Sequence, residues 1–171
     1  MSNYIHIGKF VATFGLQGEL ILKHALQKKT ALNNVKILFV EEIKGSHIPY
    51  FLQQAKAKDT EEIYIKLEGI DTKESAKRFV QKKVWLQEED FRILAGKTSP
   101  ISLLSFILIN EGEILGLIEE VIEQPHQVLL RITLNNKEVL IPLHTETLKK
   151  IDRTKKEVHV ILPDGLLDIY K

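Results

Sequence analysis

The chain has 171 residues, 44% of them apolar, and its 24 lysines and arginines nearly balance 23 aspartates and glutamates. This length suits one large domain or two small ones, and the apolar fraction excludes a disordered chain. Because cysteine is absent, disulfides, cysteine-ligated zinc, iron–sulfur clusters and thiol catalysis are excluded. No apolar stretch approaches the ~20 residues of a membrane-spanning helix, and the N-terminus lacks a secretory signal pattern. We expect a cytoplasmic protein with no membrane partner.

The near-neutral total conceals two halves of opposite charge. Residues 1–98 contain 16 Lys and Arg against 12 Asp and Glu, a net charge of +4. Residues 99–171 contain 8 against 11, a net charge of −3. A basic half attracts polyanions and an acidic half attracts a basic partner, although small domains also differ by a few charges through chance.

The first half is predicted to be mostly strand. Runs of β-forming residues, some alternating with polar ones, occupy residues 5–7, 20–22, 35–40, 48–57, 63–67 and 84–86. Gly15 and Gly18 supply positive φ in a turn between the first two strands. Residues 88–91 are predicted to form a brief helical turn.

One short helix is predicted around residues 72–80. Asp71 is placed to cap it, with Glu74 three residues on, and an apolar stripe runs along Ala76, Phe79 and Val80. Glycine, serine and proline then cluster between two apolar regions. This cluster predicts a linker at residues 95–100, between domains at residues 1–94 and 101–171.

The second half is also predicted to be strand-rich. Its strand-like runs are residues 103–109, 114–122, 128–134, 138–141 and 158–162. Asn135 and Asn136 predict a hairpin turn because asparagine tolerates positive φ. Short strands with turns at this spacing are typical of small barrels. The sequence therefore predicts an all-β protein of two small β-barrel domains with one short helix.

No catalytic constellation emerges from the sequence. None of the six histidines pairs with another at a metal-binding spacing. Gly15 and Gly18 lack the Lys-Ser/Thr of a phosphate-binding loop and precede a strand instead of a helix. We therefore expect a binding protein that is not an enzyme, with no metal and no cofactor.

The candidate RNA contacts are basic residues of the first half: Lys9, Lys23, His24, Lys28 and Lys29. Lysines can neutralise phosphates, and the alternative is a solubilising surface. An exposed ring among Tyr4, Phe10 and Phe14 would be able to stack on an unpaired base. We expect at least two of these three rings to pack in the core instead.

The candidate contacts with a basic protein, such as a ribosomal protein, lie in the second half. They are an apolar pair and three acidic residues: Leu103, Leu104, Glu119, Glu120 and Glu123. The alternatives are solvated strand ends for the acidic residues and a buried strand for the leucine pair.

An ordered set of fragments resembles the RimM family of ribosome maturation factors. The fragments span nearly the whole chain: residues 7–11, 14–20, 67–76, 112–116, 139–142, 151–152 and 162–168. This chain has Phe14 where the family tends to carry histidine, and residues 100–104 stand where the family usually has paired aromatic residues.

The resemblance implies a barrel like those of translation-factor domains, followed by a PRC barrel. It also implies a non-enzymatic assembly factor of the small ribosomal subunit, which binds precursor subunits and aids head maturation and ribosomal RNA processing. The implied protein partner is the nineteenth small-subunit ribosomal protein, bound largely through the PRC barrel, and we expect a monomer. A PRC-barrel adaptor without RNA contact, and an RNA-processing nuclease or hydrolase, remain alternatives.

Overall fold

The computed structural model describes residues 3–96 and 98–170, apart from the side chain of Tyr170. The chain divides into two compact units, Met1–Lys97 and Thr98–Lys171. Both units are built mainly from strands, and this confirms the predicted fold class. No helix among the described residues is long and apolar enough to cross a membrane.

The first unit is a closed barrel of six strands. In chain order these are β1 (Tyr4–Phe14), β2 (Glu19–His24), β3 (Ile37–Val40), β4 (Ile48–Ala57), β5 (Glu62–Leu67) and β6 (Lys83–Gln87). Around the barrel the order is β1, β2, β5, β4, β3, β6, and β6 closes it by pairing antiparallel with β1. Because side chains alternate across a strand, every second residue of β5 fills the interior, where Ile63, Ile65 and Leu67 are fully buried.

The turn between β1 and β2 depends on its glycines. Gly15 and Gly18 have φ values of +67° and +86°, as predicted. The turn is joined to the segment that follows β5, because the Lys73 N–H donates to the Leu16 carbonyl at 3.2 Å. Phe14, the last residue of β1, directly precedes this turn.

Two short helices complete the first unit: α1 (Lys73–Lys77) and α2 (Glu88–Ala95). The predicted cap of α1 was wrong, because Thr72 is the N-cap and its Oγ1 accepts from the Ser75 N–H at 3.1 Å. The Asp71 carboxylate instead forms an ion pair with Lys66 Nζ at 2.9 Å. The predicted turn at residues 88–91 is a helix that reaches Ala95.

The second unit begins with a 3₁₀ helix (Pro100–Leu103) and continues with seven strands. These are β7 (Ile107–Asn110), β8 (Glu113–Leu117), β9 (Glu120–Gln124), β10 (Gln127–Leu134), β11 (Lys137–Leu143), β12 (Leu148–Asp152) and β13 (Glu157–Val160). They form a sheet ordered β11, β10, β9 and a sheet ordered β12, β13, β7, β8. A second 3₁₀ helix spans Asp168–Tyr170.

The strands of the second unit differ from the prediction at several places, and one strand, β12, was not predicted. The predicted strand at residues 103–109 begins only at Ile107, because Pro100 starts a 3₁₀ helix before it. The predicted strand at residues 114–122 is two strands that belong to different sheets. The hairpin turn is confirmed, since Asn135 and Asn136 join β10 to β11 with φ values of +52° and +63°.

Candidate nucleic-acid and protein interfaces

Three lysines stand in one row across the outer face of the barrel. Lys9 of β1 lies directly opposite Lys23 of β2 on one side and Lys83 of β6 on the other, and all three are exposed. Adjacent strands are ~4.8 Å apart, so this lysine row (Lys9, Lys23 and Lys83) spans roughly 10 Å. Like charges placed directly opposite one another are destabilising, and a bound polyanion would relieve that repulsion.

The side chains next to the row leave it cationic. Lys9 Nζ donates to the neutral Gln81 side chain at 3.0 Å. On the side of Lys23 away from Lys9, Glu62 of β5 lies opposite it. The Glu62 carboxylate, however, forms an ion pair with Lys58 Nζ at 3.1 Å. Among residues 3–96, no ion pair involves a lysine of the row.

The predicted RNA contacts are divided by the structure. Lys9 and Lys23 join the row, whereas Lys28 donates to the Leu94 carbonyl and Lys29 is exposed in the loop after β2. Sequence reasoning missed Lys83, because it reaches the row only through the pairing of the first and last strands. The available signal was that Lys83 is the polar residue directly before the last strand-like run in this half, and the last strand of a barrel pairs with the first.

His24 does not belong to this surface, so its predicted RNA contact is corrected. Its side chain is buried at 6% exposure, and Nδ1 accepts from the Leu26 N–H at 3.2 Å. The imidazole fills the end of β2 because inward and outward positions alternate, and Lys23 takes the outward one. Burial lowers the pKa of His24, and the charge of Asp59 opposes this only in part.

Acid is therefore expected to destabilise the barrel through His24. In the unfolded chain the imidazole titrates at its ordinary pKa of about 6.5, and in the barrel it titrates lower. Below pH ~6.5 the unfolded state binds more protons, so the free energy of unfolding falls as the pH falls. Urea denaturation at pH 7 and pH 5 should show a larger drop for the wild type than for His24→Gln. An equal drop in both proteins would contradict this assignment, and the exposed control His126→Gln should behave like the wild type.

Of the three aromatic residues considered for base stacking, one lies in the core and a second is half-buried against neighbouring rings, so fewer rings enter the core than expected. Phe10 is fully buried, and the ring of Tyr4 packs on Phe39 and stacks on His47 with centroids 4.4 Å apart. Phe14 is the exception, with 45% of its surface exposed.

In the second unit, two predicted acidic contacts are held by a single arginine. Arg131 of β10 reaches Glu119 at 2.8 Å and Glu120 at 2.9 Å, with Glu138 at 3.5 Å. Desolvation lowers the pKa of Arg131, but the hydrogen bond to Glu120 and the three negative charges outweigh it, so that the pKa is raised. Glu119 and Glu120 are thus half-buried and paired, while Glu123 is exposed on β9.

Removing the arginine should leave three carboxylates facing one another. Arg131→Leu is expected to lower the free energy of unfolding by about 1 to 2 kcal/mol, because two charge-assisted hydrogen bonds are lost at a partly screened site. Urea denaturation measures this change. Adding Glu119→Gln and Glu120→Gln should recover part of the loss, and the exposed control Lys137→Leu should cost much less. Unchanged stability of Arg131→Leu would contradict the structural role of this cluster.

Leu103 and Leu104 are not an exposed anchor, and this prediction was wrong. Each is only 2% exposed. They end the first 3₁₀ helix, where Pro100 turns the chain so that the apolar side chains enter the core of the second unit. Burial removes both leucines from any contact surface.

A different acidic surface lies beside the β7–β8 turn. A cleft of about 310 Å³ has leucines in its lining, including Leu115 and Leu162, and none of the residues that the structure describes there is a lysine, arginine or histidine. Four carboxylate residues line it as well: Glu111, Glu113, Asp164 and Asp168. We call this the acidic cleft. The sequence-based candidates did not include this surface, because only the fold brings Glu111 and Glu113 next to the C-terminal residues.

The fold and these surfaces define a protein of two small β units, one with a cationic row on its surface and the other with an anionic cleft. Residues 5–91 match the RimM N-terminal domain family, and residues 100–166 match the RimM PRC barrel domain family. The chain belongs to the RimM family.

The relatives are similar over almost their full length. The ribosome maturation factor RimM of Parabacteroides distasonis is 29% identical over 95% of this chain and 95% of its own. That of Christiangramia forsetii is 26% identical over 96% and 95%. A crystal structure of a RimM protein from Pseudomonas aeruginosa superposes with a TM-score of 0.45 at 18% identity, covering 94% of this chain and 98% of that chain.

Proposed function

We propose that this chain is a ribosome maturation factor of the small subunit, which holds ribosomal RNA and a basic ribosomal protein together during head assembly and catalyses no reaction itself. Its near full-length relatives carry the name of ribosome maturation factors. The observation that carries the proposal is that the two units have surfaces of opposite charge: the lysine row on the first unit and the acidic cleft on the second. Its site of action is the cytoplasm.

The first arm of the proposal is RNA contact by the lysine row. Each lysine that neutralises a phosphate releases a condensed counterion, so binding becomes tighter at low salt. The row is supported by three exposed amines on adjacent strands, whose mutual repulsion falls when phosphates lie between them. Lys29 remains a candidate at the edge of the same unit.

The second arm is protein contact by the acidic cleft. The stems of lysine and arginine cover apolar surface while their charged ends reach outward. Leu134 and Leu167, the half-buried leucines of the lining, suit such a stem, and the surrounding carboxylates suit its charge. Glu123, exposed on β9 of the same unit, remains a separate acidic candidate. The partner is the nineteenth small-subunit ribosomal protein, which the family resemblance implies.

One chain that carries both arms raises the local concentration of each ligand for the other. Once RNA is bound, the ribosomal protein held by the same chain meets it intramolecularly. This mechanism needs no covalent step.

Deletion of the gene in its host tests the proposal. Free subunits should accumulate with unprocessed small-subunit ribosomal RNA, and the wild-type gene should restore a normal ribosome profile. A normal profile in the deletion strain would contradict the proposal. Crosslinking separates it from a protein-only adaptor, since an adaptor would give no RNA crosslinks from the first unit.

A further inference from the structure

Two aromatic rings that the proposed function leaves unused lie on the outer face of the barrel. Phe14 is 45% exposed, and its ring packs on Tyr64 with centroids 4.6 Å apart and planes tilted by 41°. The two rings border a cleft of about 350 Å³. The remaining lining residues are polar or charged: Glu19, Gln54, Lys56 and Lys66.

The strand register joins this aromatic cleft to the lysine row. Along β2, Lys23, Ile21 and Glu19 alternate to the outer face. Lys23 lies opposite Lys9, and Glu19 lies opposite Phe14, while Tyr64 lies opposite Ile21. Two residues of strand span ~7 Å. Tyr64, opposite Ile21, therefore lies about 7 Å along the strand direction from the position of Lys23. A single extended ligand can therefore cross both features.

The lining suits a flat group with a single negative charge beside it, which Lys56 is placed to meet. Lys56 is exposed on β4, directly opposite Tyr64 on β5. Lys66 lies 2.9 Å from the exposed Asp71 carboxylate and also donates to the Ile70 carbonyl. Glu19 is the acidic residue of the lining. Because Lys66 is paired with Asp71, Lys56 is the cation of this lining that a ligand can meet, beside one acid, and the Gln54 amide is available to donate and accept hydrogen bonds.

We propose that the aromatic cleft binds an unpaired base of an RNA strand whose phosphates lie on the lysine row. This inference rests on the proposed RNA contact and adds the class of RNA, which is single-stranded. The base stacks on Phe14, which Tyr64 supports from its other side, and Gln54 contacts the base edge. Lys56 contacts the neighbouring phosphate. Stacking of this kind is sequence-tolerant because every base has a π face.

The test measures binding of the full chain to a fluorescent, unstructured 12-nucleotide RNA over a range of salt concentrations. Phe14→Leu should weaken binding roughly tenfold while leaving the salt dependence as it is, because no phosphate contact is lost. Phe14→Trp should restore the affinity. The matched control is Phe51→Leu, which removes a ring that is 60% exposed on β4 but lies outside the aromatic cleft. Urea denaturation should show Phe14→Leu to be folded.

The outcomes separate this inference from the function it rests on. If Phe14→Leu binds RNA as tightly as the wild type, while loss of the lysine row weakens binding, the stacking site is overturned and the RNA contact stands. Equal sensitivity of duplex RNA to Phe14→Leu would also overturn it, since paired bases cannot enter the cleft. If the wild type binds no RNA, both fail. Loss of binding to the ribosomal protein alone would assign the cleft to protein instead.

Discussion

Replacing the three lysines of the row with alanine is expected to weaken association with precursor small subunits by roughly 10- to 100-fold near 0.1 M salt. The reason is counterion release, which makes the affinity for single-stranded RNA fall with salt by a slope of about 0.7 for each neutralised phosphate. Losing Lys9, Lys23 and Lys83 should therefore reduce the slope by about 2. Sedimentation binding of the purified variant at several salt concentrations measures both quantities.

The control must change the charge equally without touching the row. Lys36, Lys44 and Lys73 are exposed elsewhere on the same unit, so their alanine triple variant carries the same net charge as the row variant. It should lose little affinity and keep most of the slope. Equal losses in both variants would mean that the total charge of the unit drives binding, and that the row has no special role.

Replacing Gly18 with alanine is expected to lower the free energy of unfolding by about 3 kcal/mol or more. Two causes act together. The residue has a φ of +86°, and an added Cβ would lie 2.1 Å from the Ile70 carbonyl oxygen and 2.7 Å from its carbon. Backbone cannot move aside as a flexible side chain does, so the β1–β2 turn must separate from the segment before α1. Urea denaturation measures the loss.

Gly15 is the matched control in the same turn. It also has positive φ, at +67°, but an added Cβ would meet no atom within 4 Å. Gly15→Ala should therefore cost only the left-handed backbone strain, about 1 to 2 kcal/mol. If Gly15→Ala and Gly18→Ala are equally destabilised, close packing against Ile70 does not contribute to the turn.

Local patterns predicted most strands of the fold. The alternation of Ile63 and Ile65 with polar neighbours has a single reading, a strand with one buried face, and both residues fill the barrel. Asn135 and Asn136 likewise form the turn that their tolerance of positive φ suggests. These predictions succeed because the information lies within a few neighbouring residues.

The errors occur where two local solutions compete. Asp71 and Thr72 are both good helix caps, and Thr72 caps α1 because Lys66, from the neighbouring strand, binds the Asp71 carboxylate. The apolar run around Leu103 fits a strand or a buried helical turn equally well. Tertiary packing makes that choice, and no window of sequence contains it.

The sequence predicted the charge of each candidate surface but not all of the residues that form it. Lys28 lies in the most basic segment, yet it is committed to the Leu94 carbonyl. Lys83 joins Lys9 only because the barrel closes, and Asp164 joins Glu113 only through the packing of the C-terminal loop. Pairings between residues distant in sequence decide such surfaces, so the net charge of each half indicated the kind of partner and not the place of contact.

We propose that RNA and protein bind to separate, oppositely charged surfaces of one chain. The most direct test measures binding of the full chain to purified small-subunit ribosomal RNA and, separately, to the nineteenth small-subunit ribosomal protein. Both affinities are compared for the row variant and for a cleft variant with Glu111→Gln, Glu113→Gln and Asp164→Asn. We expect the row variant to lose RNA and retain the protein, and the cleft variant to lose the protein and retain RNA. Joint loss of both ligands in either folded variant, or loss of neither, would contradict the account.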